Sequence, residues 1–387
     1  MKITSVEAIS LGFEKRDPTM GRSCSVIRID TDAGIVGWGE ASTNWGHSYP
    51  TVVAATVHDV LAPLLLGTDP RNIRRRLSEM HVALDGYLGW EGLTSQAIGG
   101  VEIALWDILG KDAGMSVARL LGGGAERVRL FATGTTMFEM SADWHARYFD
   151  PALAAGITAV KVRLGKDPAA DLELIRTVRD HIGPDGLLMA DAYWGYSPDQ
   201  ALELAKEMAP FEVYFFEEPC PQYMQDGLAW LSANSPVRIA VGERVYSPTQ
   251  FADIARRGSA RVFQPDAQIC GGILSCMEIA TLARIANIEV SPHVGGPTAI
   301  GFAANLQWAA AASVAIMEYD IDVYQPVLRE ILTDNLFAMD RITDGTIAVP
   351  DGPGLGIEVD EGSFARFPYE PGRTYAEMFP DHETGRA

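Results

Sequence analysis

Residues 187–243 contain three short apolar runs, LLMAD (187–191), YFFE (214–217) and IAVGE (239–243), and each run ends in a carboxylate. The same interval of 26 residues separates Asp191 from Glu217 and Glu217 from Glu243. An interval of this length accommodates one strand, one helix and two loops, so the three acids occupy equivalent positions of a repeated βα unit. In a parallel barrel such positions converge on one mouth, where functional side chains of that fold collect.

The repeat continues beyond these three runs. Asp266, His293 and Glu318 follow further apolar runs, at intervals of 23, 27 and 25 residues. Between them lie stretches with helical spacing, and Ser197-Pro198 and Ser247-Pro248 each place a capping residue before a proline, which marks a helix start. The predicted strands are Val128–Thr133, Ala159–Leu164, Leu187–Asp191, Tyr214–Glu217, Ile239–Glu243, Arg261–Asp266, Ile288–His293 and Ser313–Glu318. Eight strands alternating with helices predict a (β/α)8-type barrel whose last helix is indistinct.

The chain before the barrel has a different organisation. Residues 1–50 have the alternation and glycine punctuation of strands, whereas residues 52–121 have apolar residues at helical spacing. Strands followed by helices are typical of an α+β domain. We therefore expect an α+β domain at 1–124, a barrel at 125–346, and a turn-rich segment at 347–387 that returns to the first domain and ends in a polar tail.

Composition and charge exclude several classes of function. A hydrophobic content of 47% and a charged content of 21% are typical of a soluble globular protein with a large core. The net charge of -20 argues against binding to nucleic acid or to an anionic membrane. No run approaches the roughly 18 apolar residues of a membrane span, and the N-terminus lacks the apolar core of a signal peptide. The four cysteines form no CxxC pair and are predicted to be reduced thiols of a cytoplasmic protein.

Asp191, Glu217 and Glu243 are candidate metal ligands. Three carboxylates at adjacent strand ends would repel one another at close range unless a cation lay between them. Oxygen ligands without histidine or cysteine favour Mg²⁺, with Mn²⁺ tolerated. The alternative is that each acid caps a helix or pairs with a basic residue of its own loop.

Candidate bases are expected on both sides of this cluster. If Asp266 accepts a hydrogen bond from one imidazole nitrogen of His293, the other nitrogen is available as a base. Lys161 and Arg163, in AVKVRLG, share one face of a strand and are expected to point into the barrel. A lysine there can act as a base, whereas an arginine stays protonated and suits a carboxylate; alternatively, both cations only neutralise the acidic mouth.

Glu318, in MEYD, has two interpretations. It could donate a proton or hydrogen bond to a developing oxyanion if its neighbours raise its pKa, or it could form a simple salt bridge. A metal with flanking bases predicts abstraction of a proton next to a carboxylate. Reprotonation on the other face would give racemisation, and loss of a β-hydroxyl would give a keto acid.

The chain resembles the mandelate racemase branch of the enolase superfamily over nearly its whole length. The matching stretches are IALWDILGK (103–111), AVKVRLG (159–165), LLMADAY (187–193), FFEEP (215–219), VGER (241–244), QPDA (264–267), CGG (270–272), SPH (291–293), MEYD (317–320) and PDGPGLG (350–356). The resemblance implies an α/β fold with an N-terminal α+β capping domain and a modified TIM barrel of the (β/α)7β type. It also implies that the protein forms a homo-oligomer.

The resemblance assigns a role to each candidate residue. Asp191, Glu217 and Glu243 match the family's Mg²⁺ ligands. Asp266 and His293 match its Asp–His pair, and Glu318 matches its acid on the eighth strand. Loops of the cap, about Phe13–Cys24 and Ser42–Pro50, are expected to contact the far end of the substrate; the candidate substrate contacts there are Arg22, Trp45 and His47.

Two positions depart from the family pattern. Arg163 stands where the family has the second lysine of Lys-x-Lys, which is the base on that side. Tyr193 stands where the family usually has an asparagine that contacts substrate, and it implies a different substrate shape or hydrogen-bond pattern. His293 alone can take an α-proton and then protonate a departing hydroxide, so Arg163 favours dehydration over racemisation.

The expected function is Mg²⁺-dependent dehydration of a small-molecule carboxylate, a sugar acid (aldonate or aldarate), to a 2-keto-3-deoxy acid, with His293 as the base. One alternative is cycloisomerisation of a sugar-acid lactone, which also begins with one-sided proton abstraction. Another is racemisation or epimerisation of a 2-hydroxy acid, with Lys161 as the second base. A fourth is a catalytically silent relative that uses the fold for binding or assembly.

Overall fold

The computed structural model describes residues 1–14, 21–42, 49–134, 140–165, 167–295, 298–321 and 330–370. Within these ranges an antiparallel sheet with helices precedes a ring of parallel strands, and a C-terminal segment contacts both. In the described part of the chain, no helix is long and apolar enough to cross a bilayer.

The described residues up to residue 121 contain an antiparallel sheet and its helices, here called the cap. Its sheet has the order β1-β2-β3, with both pairs antiparallel. The strands are β1 (Ile3–Glu14), β2 (Gly21–Thr31) and β3 (Val36–Ala41), and the helices are α1 (Pro50–Thr56), a π-helical turn (Val57–Leu61), α2 (Ala62–Leu65), α3 (Ile73–Asp85), α4 (Leu93–Ala113) and α5 (Val117–Leu120). Glycines 37 and 39 let β3 lie directly on α4, because a Cβ at either position would overlap that helix.

The barrel consists of eight parallel strands joined by helical connections. The strands are β4 (Arg127–Thr133), β5 (Ala159–Arg163), β6 (Leu187–Asp191), β7 (Val213–Glu217), β8 (Ile239–Val241), β9 (Val262–Phe263), β10 (Glu289–Val290) and β11 (Met317–Asp320). The helices are α6 (Ala142–Tyr148), α7 (Asp150–Ala154), α8 (Pro168–Ile182), α9 (Pro198–Met208), α10 (Gln225–Asn234), α11 (Pro248–Arg257), α12 (Ile273–Ala286) and α13 (Ala299–Ala312). The strand order is β10-β9-β8-β7-β6-β5-β4-β11. The Glu318 N–H donates to the Pro292 carbonyl at 3.3 Å, which brings β11 beside the chain that follows β10.

This architecture confirms the predicted fold class, a capping α+β sheet followed by a modified TIM barrel with seven helical connections between eight strands. Short 3₁₀ turns occur at Ala209–Phe211, before β7, and at Met339–Arg341 and Glu361–Arg366, after β11.

Five of the eight predicted strand ends are wrong. Strand β5 ends at Arg163, one residue before the predicted end at Leu164. Glu243, Asp266 and His293 lie in loops two or three residues past their strands, and Glu318 lies inside β11. Proline lacks the N–H that extends a strand ladder, and residues 265 and 292 are prolines directly before Asp266 and His293. Ser313, predicted to begin the last strand, is instead the left-handed C-cap of α13 with φ 53°.

The barrel interior is layered. Ala159, Met189 and Phe215 belong to a buried apolar cluster at the lower end of the strands. Side chains two residues apart share a face of a strand, so Lys161, Asp191 and Glu217 lie one layer above those residues. The apolar layer supports a polar layer at the carboxyl ends of the strands.

The C-terminal segment contacts both parts of the molecule. Strand β12 (Thr346–Ala348) pairs antiparallel with β4 of the barrel. Further along, the Leu355 N–H donates to Asp107 of the cap at 2.9 Å, and the Gly12 N–H of β1 donates to the Phe367 carbonyl at 3.1 Å. The segment therefore ties the cap to the barrel.

Candidate active site

Asp191, Glu217 and Glu243 converge at the barrel mouth. One carboxylate oxygen of each lies within 4.8 Å of those of the other two, and all three side chains are buried. Asp191 and Glu217 end neighbouring strands in register, so their side chains leave the sheet at the same level. Glu243 reaches the same place from the loop after β8, where Gly242 has φ 152° and a Cβ would lie 2.5 Å from the Gln264 nitrogen.

The donor set fits a divalent cation. Three buried carboxylates this close repel one another strongly, and a cation between them removes that repulsion. Hard oxygen donors without sulfur or imidazole in the set favour Mg²⁺-like ions over zinc. The residues present therefore fit a divalent-metal site.

Cationic side chains surround the three carboxylates. The Lys161 ammonium lies 2.9 and 2.7 Å from the two carboxylate oxygens of Glu217 and 3.7 Å from Asp191. Arg163 contacts Asp191, so both cations of AVKVRLG point into the barrel as predicted. Arg244 contacts Glu243, so the alternative that an acid pairs with a basic residue of its own loop is observed for Glu243. The cations that contact Asp191 and Glu217 come from β5 instead, and the three acids still form a cluster.

The structure joins Asp266 and His293 as predicted. Nδ1 of His293 lies 3.0 Å from Oδ2 of Asp266, and both side chains are buried. Nε2 of His293 faces the carboxylate cluster, 3.3 Å from Glu243 and 3.8 Å from Glu318. The imidazole thus has one nitrogen held by an acid and the other directed at the candidate metal site.

Glu318 lies between Lys161 on one side of the site and His293 on the other. One oxygen is 2.8 Å from the Lys161 ammonium, and the other accepts from the Val294 N–H at 3.0 Å. Burial alone would raise the pKa of Glu318, but the positive charge of Lys161, with His293 and Arg163, lowers the pKa to about 2. Of the two interpretations of Glu318, the salt bridge describes the observed contact, and its neighbours lower its pKa instead of raising it.

Tyr193 lies at the rim of the site in an aromatic cluster. Its N–H donates to Asp191 at 2.9 Å, and its ring stacks on Trp194 with centroids 5.5 Å apart. The Arg244 guanidinium lies over both rings, 4.6 Å from Tyr193 and 3.9 Å from Trp194. Glu218 accepts from the Trp194 indole and lies 3.2 Å from Arg244, which fixes the cluster beside the candidate metal ligands.

Comparison with known families identifies the chain. Residues 145–363 match the family model described as enolase C-terminal domain-like, and residues 17–122 match the mandelate racemase / muconate lactonizing enzyme N-terminal domain. The chain belongs to the mandelate racemase/muconate lactonizing enzyme family of the enolase superfamily.

Relatives within this family differ in the reactions they are named for. The chain is 34% identical to a D-galactarolactone cycloisomerase of Agrobacterium fabrum over 380 residues, 94% of each protein. It is 32% identical to an arabinonate dehydratase of Saccharolobus solfataricus over 350 residues, 88% of this chain and 89% of the relative. Among solved structures, a racemase from Streptomyces coelicolor A3(2) with bound magnesium superposes with a TM-score of 0.85 at 26% identity, covering 94% of this chain and 99% of that one.

Some expected family contacts fall outside the described structure. Trp45 and His47 lie outside the described residues, as does the side chain of Arg22. Two residues that contact the acids were not among the candidates from the sequence: Gln264, whose amide donates to Glu217 at 2.6 Å, and Arg244, which contacts Glu243. Their positions in the sequence could have identified both. Gln264 lies two residues before Asp266 in QPD, and Arg244 directly follows Glu243 in GER.

Proposed function

We propose that this family member abstracts the proton next to a substrate carboxylate in the presence of Mg²⁺ and dehydrates a sugar acid, an aldonate or aldarate, to a 2-keto-3-deoxy acid. The observation that carries the proposal is the asymmetry of the site. His293 has a nitrogen directed at the carboxylate cluster, whereas the opposite flank presents Lys161, already paired with carboxylates, and Arg163.

His293 is the proposed base. Because Asp266 accepts from Nδ1, the proton of the neutral imidazole resides on Nδ1 and the Nε2 lone pair is available. Nε2 takes the α-proton of the substrate, and the electron pair of the broken C–H bond forms a C–C double bond as the β-hydroxyl departs. The same Nε2–H then protonates the leaving hydroxide as water, and the enol product tautomerises to the keto acid.

Lys161 and Arg163, on the side of the site opposite His293, orient the substrate and do not accept a proton. Arginine stays protonated at neutral pH, so Arg163 provides donors for a carboxylate but no base. The ammonium of Lys161 is shared between Glu217 and Glu318. A site with a base on one face favours elimination over racemisation, which needs a proton acceptor and a donor on opposite faces.

Asp191, Glu217 and Glu243 would hold the Mg²⁺ ion. When bound, the ion supplies electrostatic stabilisation of the negative charge that develops on the substrate carboxylate. Lys161 and Gln264, which both donate to Glu217, would keep that ligand in one orientation.

Cycloisomerisation of a sugar-acid lactone is the second candidate. The relative at 34% identity is named for that reaction. It begins with the same one-sided proton abstraction and differs in the group that leaves, a ring carboxylate oxygen instead of a hydroxide. The two reactions place the same demand on His293 and are separated by their substrates.

A panel of aldonates, aldarates and their lactones, incubated with the protein and Mg²⁺ in D₂O, tests both candidates. Dehydration predicts a 2-keto-3-deoxy acid, detected as its semicarbazone and by ¹³C NMR. Cycloisomerisation predicts turnover of lactones alone, with an unsaturated or keto acid released from the opened ring. If no compound shows product or exchange of its α-proton, the proposal is wrong and the catalytically silent alternative is favoured.

A further inference from the structure

Asp266 is held by four hydrogen bonds, one of which comes from a buried side chain, that of Asn305, which the proposed reaction does not use. Oδ2 accepts from Nδ1 of His293 and from the Gly295 N–H at 2.9 Å. Oδ1 accepts from the Gln268 N–H at 3.0 Å and from Nδ2 of Asn305 at 2.8 Å. Three of these groups belong to loops at the barrel mouth, whereas Asn305 lies in the middle of helix α13.

The orientation of the Asn305 amide is fixed by its own partners. Its oxygen accepts from the Ala267 N–H at 3.0 Å and from the Trp308 indole N–H at 2.8 Å. Its nitrogen also donates to the Gly301 carbonyl at 3.2 Å. A flipped amide would set its oxygen against the Asp266 carboxylate and leave two buried donors without an acceptor. The nitrogen is therefore directed at Asp266.

Helix α13 is in turn fixed by the cap. Glu40 of β3 is buried, and its carboxylate accepts from the Thr298 hydroxyl at the helix N-cap and from the Gly301 N–H at 3.0 Å. Gly301 packs on the Gln268 amide so closely that a Cβ at residue 301 would overlap it. Gly301 lies one helical turn before Asn305, so the contact with the cap and the contact with Asp266 are on the same part of α13.

We propose that Asn305 is a positioning residue for the Asp266–His293 pair, and that Glu40 of the cap fixes the helix turn that carries it. Asn305 orients the Asp266 carboxylate so that Oδ2 meets Nδ1 of His293, which keeps the proton of the imidazole on Nδ1. This inference rests on the proposed role of His293 as the base.

The test compares Asn305→Ala with Gln307→Ala. Gln307 is a matched control, because it is a fully buried amide on the same helix that binds three backbone groups but does not touch the pair. Long-range ¹H–¹⁵N NMR of histidine side chains, with His293 assigned by His293→Asn, reports which ring nitrogen carries the proton. We expect the ¹⁵N shifts of His293 to move toward mixed tautomers in Asn305→Ala only.

Kinetics give a second readout. We expect Asn305→Ala to lower kcat by about 10–100-fold with little change in KM, as for other groups that orient a reacting residue, and Gln307→Ala to leave kcat nearly unchanged. Glu40→Ala is expected to move the same His293 shifts by a smaller amount. Should Asn305→Ala fail to fold, Asn305→Ser replaces it, because its hydroxyl is too short to reach Asp266.

Two outcomes would overturn the inference. One is that the His293 shifts of Asn305→Ala match those of the wild-type protein and of Gln307→Ala. The other is that Gln307→Ala changes them equally, which would reveal a general effect of loosening α13. The NMR readout needs no substrate, so a change specific to Asn305→Ala in a protein that turns over no sugar acid would refute the proposed function and leave the positioning role standing.

Discussion

The Lys161 ammonium lies 2.8 Å from the Glu318 carboxylate, and both side chains are buried. The same ammonium lies 2.7 Å from Glu217. It is also 3.7 Å from Asp191, so one buried cation lies against three carboxylates, two of them candidate metal ligands. This arrangement assigns Lys161 an electrostatic role at the centre of the site in addition to any contact with substrate.

Removing that cation is expected to destabilise the fold. Lys161→Met should lower the free energy of unfolding by about 3–5 kcal/mol, because it leaves buried carboxylates without a partner. The double variant Lys161→Met/Glu318→Gln should recover part of the loss, since one of those charges is then absent. Urea denaturation without divalent ions measures both. Lys206→Met, at an exposed position of α9, is the control, and equal stability of Lys161→Met and this control would contradict the assigned role.

His293→Asn is expected to lose dehydration and α-proton exchange together. Loss of a general base lowers the rate by about 10²–10⁴-fold, and asparagine keeps a polar group of similar length beside Asp266. Product formation and deuterium incorporation in D₂O are the measurements. His81→Asn, on α3 of the cap, is the control. Full exchange in the His293 variant would show that Lys161 acts as a base and would revive the racemase alternative.

Arg163→Lys and Arg163→Ala separate charge from geometry at the family's second lysine position. A lysine keeps a cation near Asp191, so we expect activity within about tenfold of the wild type, whereas alanine should cost about 10–100-fold, the value of one charge-assisted hydrogen bond. The ratio kcat/KM for the best sugar acid is the measurement. Equal activity of the alanine variant and the wild type would show that Arg163 has no role in the reaction.

The sequence predicted those site residues that recur along the chain at a regular interval. Asp191, Glu217 and Glu243 were found because each follows an apolar run at a fixed interval, and the fold brings such positions together. For Glu318 the sequence left open whether its neighbours raise its pKa or form a salt bridge with it, because the sequence does not show that Lys161, 157 residues earlier, lies against it. Asn305 gave no signal, since α13 is buried along its length and its one asparagine stands in an apolar run.

The metal site can be tested without a substrate. With Mg²⁺ at about 100 times its dissociation constant, binding to the folded state alone adds about 2.7 kcal/mol of stability. We expect this stabilisation to raise the Tm of the wild type and of Glu207→Gln, an exposed control on α9, when Mg²⁺ is added. The Tm of Glu217→Gln should not rise. Without Mg²⁺, Glu217→Gln is expected to be less stable than the wild type, because Lys161 loses the charge of its closest carboxylate, so each protein is compared with itself with and without Mg²⁺. A full Mg²⁺ response in Glu217→Gln would reject Glu217 as a ligand.

Glu102 is expected to make stability fall as pH rises. It caps the first turn of α12, accepting from the Ile273 and Leu274 N–H groups at 2.7 and 2.9 Å, and from Trp106. Burial raises the pKa of Glu102 from 4.5 to about 7, so between these values the folded protein binds more protons than the unfolded chain. Stability contributed by the protonated group is thus fully present below the unfolded pKa and lost as pH rises through the folded one.

The variant Glu102→Gln isolates this effect. Glutamine is neutral at every pH, so the unfolding free energy of the wild type minus that of the variant should fall by about 3 kcal/mol between about pH 4.5 and pH 8. Urea denaturation at several pH values measures it, without Mg²⁺ so that metal binding does not contribute. Glu40, whose pKa burial also raises to about 7, is present in both proteins and cancels in the difference. A difference independent of pH would mean that Glu102 remains ionised in its buried position, held by the two N–H groups of α12.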